Sequence, residues 1–154
     1  MANKPPFLFY VMNYRIFTDG SYRSSKDKMG IGVVWLKNNK KVHEYSKSVK
    51  GGTNNIAELL AIYVALKSIK KVIDTLEIIS DSEYSIGVIS NPSWKPKKNI
   101  KLIKQIKEQL SETQKLVNNP IKFTHTRGHQ TDDSEFTKYN NLVDNLAQLE
   151  SNYE

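Results

Sequence analysis

The chain of 154 residues contains no cysteine. This absence excludes a disulfide framework, a thiolate zinc site, an iron–sulfur cluster and a cysteine nucleophile. A reducing compartment is compatible with such a composition. No thiol is therefore available for catalysis or for cross-linking the fold.

Long apolar runs are also missing. The longest, residues 7–12, is far shorter than the roughly 20 residues that a membrane-spanning helix needs, and it is too short for a signal-peptide core. Proline and glycine are sparse, at 5 and 7 residues, so the composition is neither collagen-like nor that of a disordered chain. The sequence predicts one soluble globular domain without a signal peptide or transmembrane segment.

Positive charge, in contrast, is abundant and unevenly distributed. The formal net charge is +7, and residues 94–122 contain eight lysines but only two glutamates. Such a segment is typical either of a solvated helix face or of a surface that binds a nucleic-acid backbone. Charge alone does not decide between these two interpretations.

Apolar periodicity predicts an α/β order of elements. Three strands come first and form an antiparallel meander, because residues 37–40 are a good hairpin turn. Crossover helices then add two more strands to the sheet. The predicted strands are 14–18, 30–36, 42–49, 76–80 and 121–126, and the predicted helices are 56–71, one just after Asp81, 98–116 and 139–150. These elements fit a three-layer sandwich around a mixed sheet.

Four carboxylates stand at strand ends or on helix faces, namely Asp19, Glu58, Asp81 and Asp144. Each has a structural explanation. Asp19 could form a turn with the glycine that follows it, and Asp81 could cap the next helix. Glu58 could return a hydrogen bond to an N-cap at Asn55, and Asp144 could be a solvated helix acid.

Taken together, the four acids favour a metal site. Asp19 and Asp81 both follow short apolar strands, and ligand sites in open α/β sheets form at the carboxyl ends of strands. Clustered carboxylates repel one another unless cations neutralise them, and Mg²⁺ or Mn²⁺ prefers such oxygen ligands. Two such ions about 3.5–4 Å apart can cleave a phosphodiester, one by polarising the attacking water and one by neutralising the departing oxygen.

Five separated motifs resemble those of the type 1 ribonuclease H family, in the same order and over residues 14–148. They are Phe17-Thr-Asp-Gly-Ser21, Thr53-Asn-Asn-Ile-Ala-Glu58-Leu, Ile79-Ser-Asp81-Ser-Glu-Tyr84, Gly128-His129 and Asn140-Asn-Leu-Val-Asp144-Asn-Leu-Ala147. A single motif of this kind is weak evidence, but five in register are strong. The resemblance implies a ribonuclease H-like three-layer fold, whose five-stranded mixed sheet has three antiparallel and two parallel strands and is flanked by helices.

The resemblance also implies an activity. Enzymes of this family cut the RNA strand of an RNA–DNA hybrid and leave 5′-phosphate and 3′-hydroxyl ends. By resemblance, the catalytic acids and metal ligands would be Asp19, Glu58, Asp81 and Asp144, with two Mg²⁺ ions that Mn²⁺ could replace. His129 would be the catalytic loop residue that assists proton transfer or product release, although its 15-residue distance from Asp144 is longer than in the compact form of this loop.

Substrate contacts implied by the resemblance lie around the first two helices. Thr53 and Asn54 would form a phosphate pocket for the DNA strand, in agreement with the free N–H groups of a helix N-terminus. Ordinary helix capping would use the same residues. Asn55 and Ser82 would line the substrate groove, as would Glu83, where the family often has a glutamine that contacts the minor groove. Recognition of the RNA strand would rest on its 2′-hydroxyls.

The family's lysine-rich protrusion, which holds the hybrid in some members, is present here only in truncated form. The stretch is Trp94-Lys-Pro-Lys-Lys98. Trp94 would offer an aromatic face to a sugar or base, and Lys95, Lys97 and Lys98 would bind phosphates. Packing of the tryptophan over a helix start is the alternative interpretation.

Three other interpretations of the whole chain stay open. It could be a non-catalytic nucleic-acid-binding domain of the same fold, a metal-dependent DNA nuclease of the resolvase or integrase type, or the nuclease domain of a reverse-transcriptase polyprotein. The four acids argue against the first, and the Thr-Asn-Asn and Gly-His motifs argue against the second.

Organisation and surroundings follow from the same reasoning. We expect residues 1–13 to be an N-terminal extension and residues 14–151 to be a single ribonuclease H catalytic domain. We expect a monomer, located inside the cell in the cytoplasm or at the nucleoid. Its partner would be the RNA–DNA hybrid, with no membrane and no obligatory protein partner.

Overall fold

The computed structural model describes residues 11–127 and 134–152. These residues form five strands and four helices, in the order that the sequence predicts. The strands are β1 (Asn13–Arg23), β2 (Lys28–Lys37), β3 (Lys40–Lys50), β4 (Thr75–Ser80) and β5 (Lys122–His125). The helices are α1 (Asn54–Lys67), α2 (Glu83–Ser90), α3 (Ile100–Gln114) and α4 (Glu135–Ser151).

The strands form one mixed sheet in the order β3-β2-β1-β4-β5. β2 pairs antiparallel with both β1 and β3, whereas β4 pairs parallel with both β1 and β5. The β2–β3 hairpin turns at Asn38 and Asn39, whose φ angles of 48° and 69° are better tolerated by asparagine than by most residues. The predicted mixed sheet of three antiparallel and two parallel strands is therefore confirmed.

Helices cover both faces of the sheet and make three layers. One face packs against α1, α2 and α3, around a core that includes the fully buried Ile16 and Leu59. The other face packs against α4, where Phe17 and Val143 are fully buried. The consecutive residues Ile16 and Phe17 point to opposite faces, as the alternation of side chains along a strand requires. The three-layer fold is confirmed as well.

Two glycines in β2 let α4 lie very close to the sheet. A Cβ atom at Gly30 or Gly32 would collide with the backbone of α4 at Ala147 or Val143. Because the obstacle is backbone, no side-chain movement could relieve the collision. Gly30 and Gly32 therefore fix the height of α4 above the sheet, and with it the position of Asp144.

Several helix ends differ from the sequence prediction. α4 begins at Glu135 rather than at residue 139, because Ser134 is its N-cap. α1 ends at Lys67, four residues early, and Ile69 is buried in the core although it lies beyond the helix. α3 begins at Ile100 rather than at residue 98, because Asn99 has a left-handed backbone with φ of 59°. Among the described residues, every helix is too short or too polar to span a lipid bilayer.

Candidate metal centre and active site

Asp19 lies inside β1. The sequence predicts that this strand ends at residue 18, which is wrong, because β1 stays paired with β2 as far as Arg23. The parallel pairing of β1 with β4 stops earlier, where Thr18 lies opposite Ser80. The next residues along the two strands are Asp19 and Asp81. These two acids are therefore neighbours at the point where β4 ends.

Gly20 brings α1 against this part of β1. A Cβ atom here would overlap the backbone of Ala57 and Glu58. The predicted turn at Asp19 and Gly20 is therefore wrong, and the glycine instead permits a close approach of helix and strand. Across this contact, the Gly20 N–H donates a hydrogen bond of 2.5 Å to Glu58 Oε1. The carboxylate of α1 is thereby held beside the backbone of β1.

The N-cap of α1 is Thr53 and not Asn55. Thr53 Oγ1 accepts a hydrogen bond of 3.1 Å from the Ile56 N–H. Asn55 is already inside the helix, and Glu58 is bonded to Gly20, so the capping-box explanation of Glu58 is wrong. Glu58 is instead a buried carboxylate, 3% exposed, that faces other acids.

Asp81 occupies the tight turn between β4 and α2. The predicted cap at Asp81 is wrong, because Ser82 caps α2 by accepting a hydrogen bond from the Ser85 N–H. Asp81 is half-buried. Asp19, Glu58 and Asp81 each offer a carboxylate oxygen, and these oxygens lie within 4.8 Å of one another.

The fourth acid, Asp144, comes from the opposite layer. It is half-buried on α4. Val143, the residue before it, and Ala147, one helical turn after Val143, are fully buried. Asp144 and the three other acids line one cleft of about 270 Å³, which we call the acidic cleft. The structure thus brings together all four carboxylates that the sequence analysis singled out.

Burial raises the pKa values of two of these acids. The pKa of Asp19 lies far above its ordinary value. The main cause is the burial of the side chain, followed by its hydrogen bond with Glu58 and the charge of that nearby carboxylate. Burial also raises the pKa of Glu58, although hydrogen bonds from Asp19 and from the Gly20 N–H oppose the rise. Without a cation, this pair therefore keeps a proton at neutral pH, and a divalent cation would replace it.

The donor set fits a hard divalent cation. Glu58 Oε2 is buried and has no hydrogen-bond partner within the described part of the chain. An unsatisfied buried polar atom costs about 1–3 kcal/mol, so an oxygen in this state is suited to a ligand. A group of carboxylate oxygens without sulfur or nitrogen is the set that Mg²⁺ and Mn²⁺ prefer. Residues Asp19, Glu58 and Asp81 could therefore hold such an ion.

The predicted phosphate-binding residues stand at the start of α1. Thr53 is the N-cap, as the capping interpretation requires, and Asn54 is the first helical residue and lines the acidic cleft. Ser82 also lines the acidic cleft. Asn55 lines a second cleft instead. The N-terminus of α1 therefore lies between the two clefts.

This second cleft, which we call the basic cleft, has a volume of about 300 Å³. Its lining includes Trp94 and the exposed lysines Lys95, Lys97 and Lys98. The Trp94 ring lies over Gly87 and edge-on to Tyr84, with 6.3 Å between the ring centroids, and yet the residue is 37% exposed. The ring is therefore packed over α2 and also presents a surface to solvent.

The remaining predicted residues lie elsewhere. Glu83 is the exposed first residue of α2 and lines neither the acidic nor the basic cleft, so its contact with substrate stays a prediction. His129 lies outside the described residues. His43, for which the sequence predicts no function, is exposed on β3 and packs against Trp35 with 4.9 Å between the ring centroids.

Sequence reasoning missed three residues of the acidic cleft, Gly20, Ser21 and Gln148. Gln148 lies four residues after Asp144, and this spacing places two residues on the same face of a helix. Ser21 lies two residues after Asp19 and so points to the same side of β1. Helix spacing could have identified Gln148, whereas the strand end predicted at residue 18 concealed Ser21.

Comparisons with known proteins extend over nearly all of the described chain. The family model for RNase H matches residues 12–152. A ribonuclease H from Clostridium botulinum (strain Hall) is 33% identical, over 86% of this chain and 91% of that protein.

Solved structures show the same fold. LC11-RNase H1, isolated from compost by a metagenomic approach, matches with a TM-score of 0.71 at 25% identity, over 89% of this chain and 94% of that one. A crystal structure of LC11-RNase H1 in complex with an RNA/DNA hybrid matches with a TM-score of 0.69 at 24% identity, over 89% and 95% of the two chains.

Proposed function

Because the chain belongs to the RNase H family, we propose that it is an endonuclease that hydrolyses the RNA strand of RNA–DNA hybrids with two bound divalent cations. One observation carries the proposal. Four carboxylates line a single cleft, and they come from β1, α1, α4 and the turn after β4. One of their buried oxygens has no hydrogen-bond partner within the described residues. The products would have 5′-phosphate and 3′-hydroxyl ends.

The acids would act as ligands of the cations. Asp19, Glu58 and Asp81 would hold them with oxygens that lie within 4.8 Å of one another, and Asp144 would add a ligand from α4. When bound, Mg²⁺ ions supply an activated attacking water and neutralise charge on the departing oxygen. The chain itself keeps the carboxylates together against their repulsion, through strand pairing and through the close approach at Gly20.

The basic cleft supports a hybrid as the substrate. Its three exposed lysines would bind phosphates, and the exposed part of Trp94 would contact a sugar or base. α1 begins between the clefts, with Asn54 in the acidic cleft and Asn55 in the basic cleft. The free N–H groups and the dipole of that helix end favour a phosphate there. LC11-RNase H1, which shares the fold, was crystallised with an RNA/DNA hybrid.

Cleavage of an end-labelled RNA–DNA hybrid tests the proposal, with duplex RNA and duplex DNA of the same sequence as competing substrates. We expect cleavage of RNA in the hybrid alone, in Mg²⁺ or Mn²⁺ and not in EDTA. Asp81→Asn should lower kcat on the order of 1000-fold, because it removes a charged ligand from the site. Glu108→Gln, at an exposed position on α3, is the matched carboxylate-to-amide control and should keep wild-type activity.

The alternatives give different results in the same assay. Cleavage in EDTA would contradict the proposal. Cleavage of duplex DNA at a rate equal to that of the hybrid would favour a nuclease of the resolvase or integrase type. Tight binding of the hybrid without any cleavage would favour a non-catalytic binding domain.

A further inference from the structure

His125 lies next to one of the acids but outside the lining of the acidic cleft. It is the last residue of β5, and its ring is exposed to solvent. Its Nε2 atom lies 3.2 Å from the backbone carbonyl oxygen of Asp81. A carbonyl oxygen can only accept, so the ring nitrogen that faces it carries the hydrogen. His125 therefore donates a hydrogen bond to the backbone of a candidate metal ligand.

This hydrogen bond is one half of a clamp on the peptide that joins Asp81 to Ser82. At the other half, the Ser82 N–H donates a hydrogen bond of 3.0 Å to Ser80 Oγ. A peptide unit is planar, so holding both its C=O and its N–H fixes its orientation. That orientation sets the backbone conformation of Asp81 and hence the direction in which its side chain leaves the turn.

The residues that supply this clamp are themselves held in place by neighbouring strands and a helix. His125 lies opposite Ser80 in the parallel register of β4 and β5, and the Thr126 N–H extends the pairing with a hydrogen bond of 2.9 Å to the Ser80 carbonyl oxygen. On the other side of the turn, Ser82 is held by its role as the N-cap of α2. The His125 imidazole therefore connects β5 to the turn between β4 and α2, at Asp81.

We propose that His125 is a positioning residue of the metal site, which orients Asp81 through its backbone carbonyl. The proposal rests on the proposed function of the acidic cleft as a divalent-cation site. Without the hydrogen bond the peptide can rotate, and the Asp81 carboxylate is less often directed at Glu58 and the other ligands. Cation affinity then falls. Hybrid binding through the basic cleft does not depend on this peptide.

The test compares two substitutions of His125 that differ in whether the new side chain can donate a hydrogen bond. His125→Phe keeps a ring but has no hydrogen to donate, whereas His125→Gln has an amide nitrogen that can take the place of Nε2. The affinity of each full-length variant for Mn²⁺, and then for Mg²⁺, is measured by isothermal titration calorimetry without nucleic acid. We expect His125→Phe to weaken binding by about 10-fold and His125→Gln to stay within about 2-fold of the wild type.

Steady-state cleavage adds a second readout. At a cation concentration near the dissociation constant of the wild type, His125→Phe should lower kcat and leave KM for the hybrid within about 2-fold. Excess Mn²⁺ should restore much of the lost activity, because the ligands themselves are intact. His43→Phe is the matched control: His43 is the one other histidine among the described residues, it lies on β3, and its replacement should leave Mn²⁺ affinity unchanged.

Three results would overturn the proposal. One is wild-type Mn²⁺ affinity in His125→Phe, including the case in which that variant has a lowered unfolding temperature. Another is a His125→Gln variant as weak as His125→Phe. The third is an equal loss of affinity in His43→Phe. A wild-type protein that binds Mn²⁺ but cuts no hybrid would contradict the proposed activity and would still permit this test.

Discussion

The acidic cleft and the basic cleft lie on either side of the start of α1, but they are held together in different ways. Asp19 and Glu58 are 5% and 3% exposed, and backbone contacts at Gly20 fix them. The three lysines of the basic cleft are exposed and form no ion pair within the described part of the chain.

Charge explains this difference. Buried carboxylates lose their hydration and repel one another when they are ionised, so a rigid backbone is needed to hold the acids together. Solvated lysines are screened by water and salt and need no such support. We therefore expect changes in the acidic cleft to alter stability and kcat, and changes in the basic cleft to alter KM and its salt dependence.

Among the substitutions that compare the two clefts, the largest effect is expected for Gly20→Ala. The added methyl group would overlap the backbone of Ala57 and Glu58, so α1 has to move away from β1. We expect a loss of about 3 kcal/mol in the free energy of unfolding. Because Glu58 moves with the helix, kcat should fall by about 100-fold or more. Urea unfolding and hybrid cleavage measure the two losses.

Gly87→Ala is the matched change beside the basic cleft. The three heavy atoms nearest to a Cβ atom at Gly87 all belong to the ring of Trp94, a partly exposed side chain that can shift. Alanine is also favoured over glycine inside a helix by about 1 kcal/mol, which offsets that shift. We expect unfolding within about 1 kcal/mol of the wild type and an unchanged kcat. Equal losses of unfolding free energy and of kcat in Gly20→Ala and Gly87→Ala would contradict the distinction between the two clefts.

A smaller effect of opposite sign is expected for Asp19→Asn. The asparagine Oδ1 can still accept the 2.9 Å hydrogen bond from the Gly20 N–H, and its amide can donate to Glu58. The unfavourable burial of an ionisable group is gone. We expect the cation-free variant to gain about 1–2 kcal/mol at pH 7. Mg²⁺ should raise the unfolding temperature of the wild type much more than that of the variant.

The pH dependence of stability gives the sign of this effect. Because the pKa of Asp19 is raised in the folded protein, the folded state holds the proton more tightly than the unfolded chain. The contribution of Asp19 to the free energy of unfolding is therefore complete below about pH 4, and it declines as the pH rises toward the raised pKa. Glu58 acts in the same direction. In EDTA, the free energy of unfolding of Asp19→Asn should decline less than that of the wild type between about pH 5 and 8; parallel profiles would contradict this account.

The acidic cleft also shows how far sequence reasoning extends. The identities of the four acids could be predicted from motifs, and the order of elements from local periodicity. Their geometry could not, because it depends on contacts distant in sequence. β1 continues past Asp19 only because β2 pairs with it, and Glu58 faces Gly20 only because α1 packs against that strand. Nothing local distinguishes Asn55 from Thr53 as the cap until the start of the helix is known.

The same limit applies to His125. Taken alone, it is an exposed histidine near a strand end, for which the sequence offers no role. Its contact with Asp81 arises from the register of β5 against β4, which places His125 opposite Ser80. Residues that act on the site through backbone atoms carry no motif, because the partner atom is the same in every amino acid.

The smallest expected effect is at the basic cleft. Replacing Lys95, Lys97 and Lys98 together by glutamine should raise KM for the hybrid by about 10-fold at low salt and leave kcat nearly unchanged, because phosphate contacts contribute mainly uniform binding. Each lost contact should also reduce the slope of log affinity against log salt by about 0.7–0.9. Hybrid binding in EDTA and steady-state cleavage at several salt concentrations measure these changes.

A matched triple substitution separates the position of the lysines from the total charge. Lys40, Lys47 and Lys50 are exposed on the edge strand β3, and their replacement by glutamine removes the same charge from a different part of the surface. This control should change KM and the salt slope much less than the triple substitution in the basic cleft. Equal effects of the two triple variants would mean that the net charge, and not the basic cleft, attracts the substrate. A collapse of kcat in the basic-cleft variant would mean instead that these lysines help to shape the acidic cleft, and the two clefts would then act as one site.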